Sequence, residues 1–132
     1  MKIALAQINP TVGDFSGNAA QMVGFAARAR DAGCDLVVFP ELATCGYPPG
    51  DLLERPAFIA ANHDCLDYLV KTIADIGVVV GYVERNPDNA GKGLFNALAL
   101  FDQGEIRFRA FKRLLPTYDV FDEHRHFEPG QT

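Results

Sequence analysis

The chain has 132 residues, of which 48% are hydrophobic and 22% are charged. This length and composition suit one globular domain with a hydrophobic core and exclude a disordered chain. No apolar run approaches the length of a membrane span, which argues against a membrane protein. The formal net charge is −5 without a basic cluster, which argues against nucleic acid and anionic membranes as partners.

The three cysteines indicate the redox environment. Cys34, Cys45 and Cys65 are odd in number and have no CxxC spacing, which suits neither a disulfide framework nor a zinc site. We therefore expect a reducing compartment, the cytoplasm, and buried structural thiols.

The N-terminal segment predicts a strand, a loop and the start of a helix. Residues 3–7 are typical of a short buried strand, and residues 9–17 form a loop in which Asp14 and Ser16 are candidate helix caps. We expect the helix to begin at Asn18.

The helix and the strand after it are indicated by an apolar stripe and a glycine. Gly33 is a natural stop for the helix, and residues 36–39 are an apolar strand. The order strand, helix, strand predicts parallel pairing and an α/β fold. One helical face is apolar at Ala19, Met22, Val23 and Ala26.

The second half of the chain predicts another helix and three strands. Pro56 is suited to the first turn of a helix. Strands are expected over residues 78–83, 94–101 and 105–111, with a surface loop at 85–93 and a hairpin between the last two strands. The apolar face of the helix consists of Ile59, Leu66, Leu69, Val70 and Ile73.

Lys112 follows the last predicted strand. A period of two places it on the face of Ile106 and Phe108, opposite the two arginines of residues 105–111. A lysine on the core side needs a carboxylate partner or a functional role. Because Phe111 breaks the alternation, a frayed strand end with Lys112 in water is the alternative.

Glu41 lies just beyond the apolar strand at residues 36–39, after a proline and before a Gly/Pro-rich loop. Sheets of this class place their chemistry beyond the carboxyl ends of the strands. Glu41 is therefore a candidate base at the edge of an apolar layer, where burial would favour its protonated form. The alternative is a glutamate that caps the loop or forms a salt bridge there.

Two sequence blocks resemble a known family. Residues 39–42 (FPEL), followed by residues 46–53, resemble the nitrilase (carbon–nitrogen hydrolase) superfamily, and residues 112–123 match its second block. More narrowly, both blocks are similar to the glutaminase domains of glutamine-dependent NAD synthetases. The resemblance extends from Lys2 onward. It implies an α-β-β-α sandwich that is incomplete here, with residues 1–132 as its N-terminal part and the synthetase domain absent.

The resemblance implies a Glu-Lys-Cys triad. Glu41 matches the general base and Lys112 the lysine that stabilises the oxyanion. In the family the cysteine lies some tens of residues beyond the lysine block, and no cysteine follows Lys112 here. We expect that none of the three cysteines is the nucleophile and that the chain is a fragment, inactive alone.

The resemblance also implies residues that bind substrate. Tyr118 matches a position that contacts glutamine in relatives, and Tyr47 is expected to line the same pocket. Phe121 and Glu123 are weaker candidates. Glu123 has an alternative role, which is to position Lys112.

The histidines do not predict a metal site. His63 has neighbours that point in different directions on a helix, and His124 and His126 lie in a polar segment, where we expect solvated side chains.

The function implied by the resemblance is hydrolysis of L-glutamine to supply ammonia for the ATP-dependent amidation of deamido-NAD. ATP and Mg²⁺ would bind in the absent domain, and the protein is expected to be a cytoplasmic homo-oligomer. The alternatives are another amidase or carbamoylase of the superfamily, and a non-catalytic binding or assembly module. An incomplete sandwich is also expected to leave an apolar sheet face uncovered.

Overall fold

A mixed five-stranded sheet with two helices on one face forms the fold. The computed structural model describes residues 1–87, 91–117 and 122–131. The sheet order is β1-β2-β3-β4-β5, with the first three strands parallel and the last two added antiparallel. The elements are β1 (Ile3–Leu5), α1 (Phe15–Asp31), β2 (Leu36–Val38), α2 (Pro56–Thr72), β3 (Gly77–Arg85), β4 (Leu94–Asp102), β5 (Glu105–Phe111) and two short 3-10 helices, Gly50–Glu54 and Glu123–Arg125. The α/β class and the hairpin are confirmed.

The ends of the helices follow local signals, with one difference from the prediction. Helix α1 begins at Phe15 and not at Asn18, because Asp14 is its N-cap and accepts a hydrogen bond from the Gly17 amide at 3.0 Å. Ser16 is therefore inside the helix. The predicted stop is confirmed, with Gly33 at a φ of 81° directly after the helix.

The main core lies between the helices and one face of the sheet. The predicted face of α2 is buried throughout, and the stripe of α1 is buried except for Val23, which is partly buried. These side chains exclude water from the middle of the sheet, and this burial is the main stabilising term of the fold. The largest buried side chains of this core include Met22, Leu69, Val37, Val78, Val80, Tyr82 and Phe101.

The opposite face of the sheet is apolar, and no element in the described part of the chain covers it, as expected for an incomplete sandwich. Ile3 is 50% exposed, Leu5 74%, Leu98 37% and Phe108 59%. Among the described residues, no helix is long and apolar enough to cross a membrane.

A β-bulge changes the predicted alternation in β5. The pairing of β4 with β5 shifts between Leu100 and Phe101, so that Ile106 pairs with Phe101 and Phe108 pairs with Leu100. Ile106 packs against the helix-covered core, whereas Phe108 lies on the uncovered face. The prediction that these two side chains share a face is wrong. Lys112 shares the face of Phe108 by alternation.

The turn after β2 packs directly against β3. Phe39 donates its amide to Val79 O at 2.8 Å, and Thr44 donates to Gly81 O at 3.3 Å. A Cβ at Gly81 would lie 2.3 Å from the amide nitrogen of Leu42. Leu42 itself has a φ of 48°, a left-handed conformation that costs a leucine free energy. Only glycine at position 81 allows this close approach.

Gly81→Ala is therefore expected to destabilise the protein by about 1–3 kcal/mol and to displace the turn that carries Glu41. Gly24→Ala is the matched control, since Gly24 is an exposed glycine within α1 and a Cβ added there would meet no atom within 4 Å. That change is expected to stabilise the helix by about 0.5–1 kcal/mol. Thermal unfolding followed by circular dichroism tests both, and equal stability of Gly81→Ala and wild type would contradict the packing argument.

Candidate active site

Glu41 projects from the turn that follows β2, at the carboxyl ends of the parallel strands. Its side chain is 42% exposed. The burial expected for this carboxylate is therefore not present among the described residues. The carboxylate nevertheless has partners, because Oε1 accepts hydrogen bonds from both Lys112 and Asn96.

Lys112 joins two carboxylates. Its Nζ donates to Glu41 Oε1 at 2.8 Å and to Glu123 Oε2 at 3.2 Å. Its amide donates to Asn96 O at 2.8 Å, which continues the β4–β5 pairing one residue beyond the strand. The alternative of a frayed end with Lys112 in water is wrong, and the prediction of a carboxylate partner is confirmed.

The two carboxylates also determine the charge state of Lys112. Partial burial lowers the pKa of the ammonium, but the hydrogen bonds and negative charges of Glu41 and Glu123 outweigh this effect. The pKa of Lys112 therefore lies above its ordinary value. Lys112 is a fixed positive charge at neutral pH.

Glu123 lies at the start of the second 3-10 helix, and its side chain is only 5% exposed. Oε2 accepts a hydrogen bond from Tyr47 Oη at 2.6 Å as well as from Lys112, and Oε1 accepts from Asn96 at 3.2 Å. Both oxygens already have protein donors. This arrangement supports the alternative role, in which Glu123 positions Lys112.

Asn96 is a site residue that the sequence analysis missed. It lies on β4, is 3% exposed, and its Nδ2 is 2.6 Å from Glu41 Oε1. The signal in the sequence was a single amide within the apolar run of residues 94–101. A buried asparagine in such a strand requires hydrogen-bond partners, but the sequence does not say which.

Tyr47 reaches the site through Glu123. Its peptide bond to Pro48 is cis, and its ring lines a second cleft with Pro48, Asp51 and Phe127. The prediction that Tyr47 lines a glutamine pocket together with Tyr118 stays a prediction, because Tyr118 lies outside the described residues. Phe121 lies outside them as well.

An apolar cleft of about 390 Å³ adjoins the cluster. Glu41, Asn96 and Lys112 are its polar residues, and the rest of the lining comes mainly from the apolar ends of β2 to β5 on the uncovered sheet face. A carboxylate can accept a proton from a nucleophile, and a fixed ammonium can stabilise an oxyanion. The cleft therefore combines a base, Glu41, with an ammonium, Lys112. Together they can assist a nucleophile that attacks an amide carbonyl.

The two buried cysteines have surroundings that disfavour the thiolate. Cys45 is fully buried, with Sγ 3.4 Å from Gly46 O, and burial raises its pKa to about 12. Burial likewise raises the pKa of Cys65 on α2 to about 11. Cys34 is partly buried and precedes β2, at the end of that strand opposite Glu41. The expectation of buried thiols is confirmed for Cys45 and Cys65.

One histidine differs from the expectation of solvated side chains. His124 is exposed, but the His126 side chain is only 11% exposed. Its Nε2 lies 3.4 Å from Asp51 Oδ1 and 3.6 Å from Glu54 Oε1. The three residues form a cluster of groups that can bind metal, which the sequence analysis did not predict. Arg125 is 3.4 Å from Asp51 Oδ1 and already supplies positive charge there.

Comparison with protein families gives one match over nearly the whole chain. The carbon–nitrogen hydrolase family matches residues 2–132. The glutamine-dependent NAD(+) synthetase of Synechocystis sp. is 44% identical over 129 residues, which covers 95% of this chain and 23% of that protein. The enzyme of the same name from Thermotoga maritima is 41% identical over 133 residues, which covers 99% of this chain and 22% of that protein. The chain thus spans less than a quarter of the length of these relatives.

Two solved structures have folds similar to that of this chain. Glutamine-dependent NAD+ synthetase from Acinetobacter baumannii, in complex with ADP, has a TM-score of 0.90 and 35% identity, covering 98% of this chain and 24% of that chain. An amidase from Nesterenkonia sp. has a TM-score of 0.77 and 26% identity, and the match covers 100% of this chain and 49% of the amidase chain.

The environment of Cys45 predicts low reactivity. At pH 8 a thiol with a pKa of about 12 has a thiolate fraction of only about 10⁻⁴. We expect iodoacetamide to modify Cys34 well before Cys45 in the native protein, as measured by mass spectrometry of the digested protein. Denatured protein is the control, in which all three thiols should react alike. Faster labelling of native Cys45 than of Cys34 would show an activated thiol.

Proposed function

Because this chain belongs to the carbon–nitrogen hydrolase family, we propose that it forms the N-terminal part of the glutaminase domain of a glutamine-dependent NAD synthetase. The observation that carries the proposal is the pair of carboxylates, Glu41 and Glu123, bound to the single ammonium of Lys112 beside an apolar cleft. The A. baumannii synthetase is 35% identical to this chain with a TM-score of 0.90, whereas the Nesterenkonia amidase is 26% identical with a TM-score of 0.77. The greater similarity favours a synthetase over another amidase.

Glu41 is the general base in this proposal. Its Oε1 is hydrogen-bonded to Lys112 and Asn96, whereas Oε2 accepts no hydrogen bond from any described residue. Oε2 takes the proton of a cysteine thiol, and the thiolate attacks the amide carbon of glutamine. Lys112 stabilises the negative charge that develops on the amide oxygen.

Glu41 also serves the later steps. The tetrahedral intermediate collapses with cleavage of the C–N bond, and the proton held by Glu41 passes to the departing ammonia. A glutamyl thioester remains. Glu41 then takes a proton from water, the resulting hydroxide attacks the thioester, and glutamate leaves as the proton returns to the sulfur.

The nucleophilic cysteine comes from polypeptide outside residues 1–132. This part of the proposal is supported by the burial and raised pKa values of Cys45 and Cys65, and by the position of Cys34 before β2. The remaining sheet of the α-β-β-α sandwich comes from the same outside polypeptide.

The ammonia is used by a second domain, also outside residues 1–132, that amidates deamido-NAD with ATP and Mg²⁺. Support comes from the names of the relatives and from the ADP in the A. baumannii structure, whose chain extends far beyond the matched region. Assembly as a homo-oligomer in the cytoplasm belongs to the same proposal and rests on the sequence resemblance.

Glu41→Gln and Lys112→Ala, made in the full-length protein, are expected to reduce glutamine-dependent NAD formation by at least about 10³-fold, since each removes a group that acts on the reacting atoms. NAD formation from free ammonia is expected to stay within about twofold of wild type. Both rates are measured by the appearance of NAD from deamido-NAD and ATP.

Glu105→Gln is the matched control, because Glu105 is an exposed glutamate at the β4–β5 hairpin, where it pairs with Arg107. It should leave both rates unchanged. Equal loss of the glutamine-dependent and ammonia-dependent rates in Glu41→Gln would mean that Glu41 does not belong to a separate glutaminase site.

Residues 1–132 alone are expected to release no ammonia from glutamine, because the nucleophile is outside them. A glutamate dehydrogenase-coupled assay measures the release. Turnover that survives Cys45→Ala but is lost in Glu41→Gln would contradict this part of the proposal.

A further inference from the structure

Asn96 lies between the two carboxylates of the site. Its Nδ2 donates to Glu41 Oε1 at 2.6 Å and to Glu123 Oε1 at 3.2 Å. Its main chain pairs with Val83 in the β3–β4 ladder and accepts the amide of Lys112 at 2.8 Å. Main-chain contacts to β3 on one side and to the end of β5 on the other therefore hold Asn96 in place. From this position its side-chain amide reaches both carboxylates.

The two carboxylates determine which end of the amide faces them. A carboxylate only accepts hydrogen bonds, whereas the NH₂ group of asparagine has two hydrogens to donate. One nitrogen thus serves both Glu41 and Glu123. The reversed amide would place its oxygen against two negative charges, so the orientation of Asn96 follows from the ionised state of its partners.

Charge explains why a neutral donor suits this position. Glu41 and Glu123 share one ammonium, so two negative charges and one positive charge leave the cluster with a formal charge of −1. A second cation would neutralise the cluster and compete with Lys112. An amide adds two hydrogen bonds to the carboxylates without adding charge.

We propose that Asn96 is a positioning residue that holds the Glu41 carboxylate in place through Oε1, so that Oε2 is left for proton transfer, and that separates Glu41 from Glu123. This inference rests on the proposed role of Glu41 as general base. Asn96 acts through Glu41 and not on the reacting atoms. Among the described residues, the ionisable groups that face Glu41 are Lys112 at the end of β5 and Glu123 on the 3-10 helix, with Tyr47 behind Glu123.

Two substitutions in the full-length protein test the proposal. Asn96→Leu removes both donors at similar volume. Asn96→Asp keeps the shape of the side chain, removes the donors and adds a third negative charge. The matched control is Asn62→Leu, because Asn62 is also a fully buried asparagine, but its side chain bonds to the main chain of Val83 and to Thr44.

Asn96→Leu is expected to reduce kcat for glutamine hydrolysis about 10- to 100-fold, the loss typical of a hydrogen bond to a charged group, with KM within about threefold of wild type. Asn96→Asp should show a larger loss of kcat, because it adds a third negative charge beside the two carboxylates. Asn62→Leu should lower thermal stability and reduce kcat less than Asn96→Leu.

A second measurement does not depend on the substrate. The ¹³C chemical shift of the Glu41 carboxyl carbon is compared at one pH in wild type and in both variants, with assignment by Glu41→Gln. A changed chemical shift in both Asn96 variants supports the proposal. An unchanged chemical shift, or a raised KM at constant kcat, would overturn it and leave Asn96 a structural or substrate-binding residue.

The outcomes also separate this inference from the proposed function. A wild-type protein that does not hydrolyse glutamine would refute the proposed function, while the NMR comparison would still decide the role of Asn96. If Asn96→Leu does not fold, as judged by circular dichroism, Asn96→Asp decides the outcome by the same comparison.

Discussion

Two carboxylates share one ammonium in this structure, and the other polar groups of the site are arranged around that interaction. Glu123 is almost fully buried, and an ionised carboxylate is costly to bury unless charge and hydrogen bonds compensate. Lys112 supplies the charge, while Tyr47 and Asn96 supply neutral donors. Glu41, in contrast, remains partly exposed and keeps one oxygen without a donor among the described residues. Both oxygens of Glu123 thus have protein donors, whereas among the described residues only Oε1 of Glu41 has them.

The scaffold brings this cluster together from four separate segments. The turn after β2 can carry Glu41 toward Lys112 only because Gly81 on β3 has no side chain at the point of closest approach. Buried polar groups behind the turn fix it further. Thr44 O accepts from Asn18 Nδ2 at 3.1 Å, and Thr44 Oγ1 donates to Asn62 Oδ1 at 2.7 Å. Each helix therefore contributes one buried amide that ties the turn after β2 to the layer beneath it.

The uncovered sheet face and the cleft belong to the same side of the molecule. The cleft includes Leu98, which is 37% exposed, and this face continues to Phe108 and Leu5. In the proposed synthetase, the second sheet would cover this face and bring the nucleophile to Glu41 at the same time. Folding of the complete domain and assembly of its active site would then be one event, because the same apolar contact drives both.

The sequence by itself determined the class of fold, both helices and the five strands, and it proposed Glu41 and Lys112 as site residues. These features depend on local signals: apolar periodicity, Pro56 and Gly33 at helix ends, and two motif blocks that resemble a family. Only the tertiary structure decided the bulge that turns Ile106 to the core, the partners of Asn96 and the burial of Glu123 and His126. The bulge depends on the register of two neighbouring strands, and the surroundings of Asn96, Glu123 and His126 depend on groups far apart in the sequence, such as positions 41, 96 and 123. Their contacts arise from strand register and loop packing, which local patterns do not encode.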